Sequence, residues 1–135
     1  MKKSIVFIAS ITAMLFISCK KKINCTDFKT GKYLISNDTL FENAATLIKT
    51  ATKQQQINAK GDTLFANVEW LNDCSYRLSF DKTKMHLSPF QLNVNERGGI
   101  LVEFGMPKGN IMPYTSVIKG ASKTEIFEGF LKKIQ

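Results

Sequence analysis

Four side chains hold most of the reactive chemistry available to this chain: the thiols of Cys19, Cys25 and Cys74, and the imidazole of His86, its one histidine. Thiols accept acyl groups, pair into disulfides, ligate metals or exchange electrons, and spacing decides among these. Two isolated cysteines and a single histidine cannot complete a four-ligand zinc site without carboxylates. No Cys-x-x-Cys redox pair is present. Any histidine-based mechanism must use His86, in KMHLSPF, yet no Gly-x-Ser-x-Gly elbow or His-Glu-x-x-His helix accompanies it. No glycine-rich loop follows a strand in the way phosphate binding requires. The acidic residues fall singly, so spacing defines no carboxylate pair for acid–base work. These residues predict a non-enzymatic protein with no catalytic residues, metal or cofactor, and His86 reads as an exposed loop residue.

The thiols are better explained by what precedes them. Lys2 and Lys3 form a positive head, and Ser4 to Ile17 (SIVFIASITAMLFI) is a run without a charge. As a helix it would span about 21 Å, short of the roughly 30 Å hydrocarbon core. A charged head, a short apolar run and a small residue at its end read as a secretory signal peptide over residues 1–18. The competing reading is an uncut membrane anchor. Leu15-Phe16-Ile17-Ser18-Cys19 resembles a bacterial lipobox, with Phe16 where leucine is usual. The resemblance implies cleavage before Cys19 and diacylglycerol on its thiol, with a further acyl chain such as palmitate on its amine. Two or three chains on one residue anchor stably where a single chain does not. Residues 19–24 then form a lipidated basic tether. With Cys19 acylated, Cys25 and Cys74 remain in an oxidising compartment. Their disulfide would close a loop of about fifty residues, worth on the order of 4 kcal/mol in the chain-entropy picture.

Charge points the same way. Nineteen Lys and Arg against eleven Asp and Glu give a net +8, but five of the lysines (2, 3, 20, 21 and 22) precede Ile23. The remaining fourteen face all eleven acids, leaving +3 with both signs interspersed. No basic stripe remains to bind nucleic acid. Lys20 to Lys22 suit a tether beside anionic headgroups.

The elements beyond the tether read mainly as strands. Leu64, Ala66, Val68 and Trp70 share one face of TLFANVEWL; Tyr76, Leu78 and Phe80 share one face of SYRLSFD. With Asn72-Asp73-Cys74 between them, residues 63–81 predict a β-hairpin. Residues 31–36 and 100–104 are further strands, 105–113 is rich in turn residues, and YTSVIKG is a β-branched run. Residues 125–134 form a last strand or a short helix, with Gly129 against the helix. Residues 39–59 carry two patterns. Leu40, Ala44, Leu47, Ile48 and Ala51 repeat at helical spacing, and Thr39 with Glu42 has the form of a capping box. Thr46, Ile48, Thr50 and Thr52 alternate as a strand would, and a strand over 46–57 is preferred. The expected fold is a small antiparallel β domain over residues 25–135, barrel-like or sandwich, with α+β carrying a helix at about 39–57 as the alternative.

Asp38-Thr39-Leu40-Phe41-Glu42-Asn43 and Asp62-Thr63-Leu64-Phe65-Ala66-Asn67 match at five of six positions. Their flanks differ, which fits two similar strand entries better than a duplication. The two Asp-Thr-Leu triplets also resemble the O-glycosylation acceptor of exported Bacteroidetes proteins, which would place sugar on Thr39 and Thr63. Over roughly residues 25–80, Cys25-Thr26-Asp27-Phe28-Lys29-Thr30-Gly31 and Trp70-Leu71-Asn72-Asp73-Cys74-Ser75-Tyr76-Arg77-Leu78 are similar to blocks shared by small Bacteroidetes lipoproteins of unknown function. The resemblance supports pairing Cys25 with Cys74 and implies an envelope protein, without an activity. By analogy with better-known bacterial sorting, Lys20 in place of aspartate after Cys19 implies the outer membrane, and a tether without the acidic signal that resembles surface display in Bacteroidetes implies the periplasmic face. Tyr33, Trp70, Tyr76 and Phe80 are core aromatics or the lining of a barrel mouth that holds a small apolar ligand. The alternative role is docking another envelope protein through a strand edge or surface patch.

Overall fold

The computed structural model describes residues 24–135; the leader, Lys20 to Lys22 and Cys19 lie outside them. A 3₁₀ turn, Cys25–Phe28, leads into β1 (Gly31–Ser36), β2 (Ala45–Lys49), β3 (Lys53–Ile57), β4 (Thr63–Asn72) and β5 (Ser75–Phe80). Helix α1 (Pro89–Glu96) follows, then β6 (Ile100–Phe104), β7 (Ile111–Lys119) and β8 (Thr124–Lys133). Every strand pairs antiparallel with the next, and β8 returns to β1, so the sheet closes into an eight-stranded barrel. Closure leaves no edge strand in the sheet. At eight strands the interior is just wide enough to be filled by side chains or to hold one small ligand.

Register and burial agree on which residues point inward. Tyr33 pairs with Leu47, and Met112 with Leu131; all four are at most 1 % exposed. Val68 faces Leu78, and Tyr76 faces Val102, forming a second core cluster. The period-two faces of β4 and β5 expected from sequence are thus the barrel lining.

One end of the barrel is plugged. Cys25 and Phe28 of the 3₁₀ turn pack on Tyr33, Leu47, Met112 and Leu131. Cys25 is bonded to Cys74 in the β4–β5 turn, with Cα atoms 5.1 Å apart. Beside it, Lys29 pairs with Asp73 at 2.8 Å, an exposed contact worth little by itself.

The opposite end carries the longer loops. Residues 39–57 hold no helix. Asp38 Oδ1 accepts from the Leu40 and Phe41 amides (2.8 and 3.1 Å) and turns the chain where Thr39 and Glu42 resembled a capping box. The strand expected over 46–57 is a hairpin, because Thr50 folds it back: its amide donates to Lys53 O at 2.9 Å, and its Oγ1 accepts from the Lys53 amide at 3.1 Å. The one helix among the described residues was not foreseen. Its capping box is Ser88 with Gln91, the hydroxyl accepting from the Gln91 amide and the Gln91 side chain accepting from the Ser88 amide. The helix stands beside β5 because β6 pairs with β5 only as far as Leu78. Past that point Asn95 substitutes for a strand, bonding both the N–H and the C=O of Phe80 at 2.8 and 2.9 Å. Gly98 and Gly99 (φ 94° and 81°) then turn the chain into β6. A Cβ on Gly99 would lie 2.1 Å from Leu78 O, so only glycine fits.

Candidate functional site

The last residue of β2, Lys49, points into the lumen and is 2 % exposed. It follows Ala45 and Leu47 on the odd-numbered face of β2. The sequence alternation had drawn attention to the even-numbered Thr46, Ile48 and Thr50. Four rings surround its ammonium: the centroids of Tyr76, Phe104, Trp70 and Tyr33 lie 4.6, 4.8, 5.2 and 5.4 Å from Nζ. The rings brace one another, with Trp70 against Tyr76 at 4.6 Å and Tyr76 edge-on to Phe104 at 5.6 Å. Their negative faces attract a cation and offer it no ionic partner.

Among the described residues nothing hydrogen-bonds Lys49 Nζ. Loss of hydration disfavours the charged form and brings the lysine down to about 7. Burial acts in the opposite direction on the phenols. Tyr33 is pushed up to about 12, by desolvation first and then by the charge of Asp27. Desolvation also raises Tyr76 and Tyr114. Two more polar atoms in this part of the lumen are buried without partners: Gln54 Oε1 and Trp70 Nε1. Gln54 is the direct cross-strand neighbour of Lys49.

Toward the unplugged end lies an apolar cavity of about 150 Å³ lined by Gln54, Gln56, Leu64, Ala66, Leu78, Phe80 and Ile100. Of its lining, Leu64 is 41 % exposed, and across the barrel on β8 Phe127 is 50 % exposed. Phe127 belongs to the inward register of β8, opposite Ser116.

The four aromatics singled out from sequence divide between these regions. Tyr33, Trp70 and Tyr76 cage the amine, and Phe80 lines the cavity. Lys49, Gln54 and Phe104 were missed as site residues. For Phe104 the period-two pattern was available; Gln54 lies in a run of three glutamines without alternation, and for Lys49 the only signal was its phase with the apolar Leu47. Thr39 is exposed in the β1–β2 loop, and Thr63 is half-buried at the start of β4. His86 is exposed in the β5–α1 loop. No group of three or more His, Cys, Asp or Glu side chains among the described residues is placed to hold a metal.

On the outer wall, a second apolar depression of about 250 Å³ lies over β2 to β4 beside Lys53 and Asp81. Asp81 is occupied in holding its own turn. Its carboxylate accepts from the Thr83 hydroxyl and amide (2.6 and 3.0 Å) and from Lys53 Nζ (2.9 Å). Those bonds, led by the Thr83 hydroxyl, hold it down to about 2. The chain matches no protein-family profile, and no curated protein or solved structure is significantly similar to it.

Proposed function

We propose that the barrel is a non-enzymatic binding module that takes a small apolar ligand into its open end, on a protein tethered to the bacterial envelope through lipid on Cys19. The observation that carries the binding reading is the apolar cavity of about 150 Å³ at the unplugged end. Apolar cavities near this size stay dry and admit a benzene-sized molecule. The exposed lining side chain Leu64 extends the apolar surface outward, as an entry path requires. Envelope docking by strand addition is the weaker reading, since the closed barrel leaves no sheet edge to extend. The proposed anchor and the Cys25–Cys74 bond are consistent with an exported, oxidising setting on the periplasmic face of the outer membrane.

The test is toluene titration of the full chain in lipid nanodiscs, read by methyl NMR. Resonances of Leu78 and Ile100 should shift saturably, and Leu78→Trp, which fills the cavity, should abolish the response. No saturable shift in the wild type would reject the binding reading. Radiolabelled palmitate entering the wild type and not Cys19→Ala would support the anchor, and equal labelling would reject it.

A further inference from the structure

We propose that Lys49 recognises an acidic headgroup, so that the ligand of the barrel is a small apolar carboxylic acid: its hydrocarbon body fills the cavity at the open end and its carboxylate meets the Lys49 ammonium. This inference rests on the reading of the open end as an apolar binding site and adds the ligand's charge to it.

Three buried polar atoms without partners, each from a side chain of the lumen wall, carry the argument: Lys49 Nζ, Gln54 Oε1 and Trp70 Nε1. A buried polar group ordinarily has a partner, and a buried cation without one is expensive to keep. The aromatic cage explains how the amine is tolerated. Faces at 4.6–5.4 Å soften the loss of water, but they accept no ionic hydrogen bond. The cage therefore supplies everything a cation needs except its counter-ion. Lys49 and Trp70 both donate, and turning the Gln54 amide over presents its NH₂ in place of Oε1. A carboxylate, an acceptor only, matches such a set, and one ammonium matches its single charge.

The headgroup site and the cavity are adjacent. Gln54 pairs with Lys49 and also lines the cavity. On β5, Tyr76 touches the amine while Leu78, the next inward residue, lines the cavity. Successive inward residues lie roughly 7 Å apart, a step that one small aromatic acid can span. The cavity volume limits the body to about a benzene ring or a short alkyl chain.

The test compares benzoate with its neutral isostere benzamide, by calorimetric titration of the full chain in nanodiscs at about pH 6, with empty nanodiscs as the blank. Benzoate should bind at least ~10-fold more tightly than benzamide. Lys49→Met should remove that preference, so that benzoate and benzamide bind within about two-fold of each other. Equal affinities in the wild type, or a preference that survives in Lys49→Met, would overturn the proposal. Should the variant fail to fold, the wild type still decides: the Lys49 ε-carbon resonance should move with benzoate and not with benzamide, and a resonance indifferent to both overturns it. Toluene binding without a benzoate preference overturns this inference alone. Failure of toluene, benzoate and benzamide alike overturns the binding reading as well.

Discussion

Replacing Lys49 with methionine should stabilise the fold by an amount that depends on pH in a calculable way. In the unfolded chain this lysine takes up its proton at the ordinary value of 10.5; in the barrel it does so only at about 7. Between those values the unfolded state binds the extra proton, so falling pH favours unfolding; below about 7 both states are protonated and the effect stops growing. At 1.36 kcal/mol per pH unit, the penalty on the wild type is roughly 2 kcal/mol at pH 9 and roughly 4.5 at pH 7. Lys49→Met keeps an unbranched stem and removes the titration. Urea unfolding, followed by the fluorescence of Trp70, should show the variant's advantage widening by about 2–2.5 kcal/mol between pH 9 and pH 7. With a slope of 1–3 kcal/mol/M that separates the midpoints by roughly a further 1 M. The groups facing the amine are Tyr33, Tyr76, Trp70, Phe104 and Gln54, with no carboxylate bonded to it among the described residues. Ionisation of the tyrosines is common to both proteins and cancels in the difference. An advantage that does not change with pH would refute the reasoning, because it would mean that the folded amine is hydrated or already paired.

Three further outcomes follow from the packing. Gly99→Ala forces a Cβ to 2.1 Å from Leu78 O at a φ of 81°, and should cost about 2 kcal/mol or more in thermal unfolding. Cys74→Ser should cost on the order of 4 kcal/mol and leave Cys25 reactive to thiol reagents, whereas the wild-type pair should not react. Asn95→Ala orphans both the N–H and the C=O of Phe80; roughly 1–3 kcal/mol should be lost, with hydrogen exchange accelerating at Phe80 before it does at Tyr76.

The strands were legible because alternation is a local property. In β4, Leu64, Ala66, Val68 and Trp70 announce both the strand and its buried face, and the register bears this out. The partition of residues 46–57 was harder, since a tight turn of ordinary residues, Thr50 to Lys53, interrupts one continuous alternation. Helix α1 escaped notice because it has almost no apolar stripe: Phe90 and Leu92 are 58 % and 46 % exposed, and Val94 is its one buried residue. Its start signal was nonetheless present in Ser88-Pro89-Phe90-Gln91. Barrel closure left no local trace, because β1 and β8 meet across almost the whole length of the chain. Lys49 was invisible for a different reason. Sequence patterns assign lysine to the wet face, and only the three-dimensional convergence of four rings makes an inward lysine tolerable.

Under the proposed anchor, the disulfide-tied turn that stoppers one end of the barrel would also set the orientation of the molecule. The polypeptide enters the fold through the stopper, and Cys19 is only six residues before Cys25. Six residues reach at most about 20 Å. A bilayer gripping Cys19 would therefore lie beneath the sealed base. The ten residues of β4, tilted as barrel strands are, carry the opening roughly 25 Å above that base. If the proposed anchor on Cys19 holds, the vestibule would gather its cargo from the aqueous side, as an upright cup does, and not from the lipid.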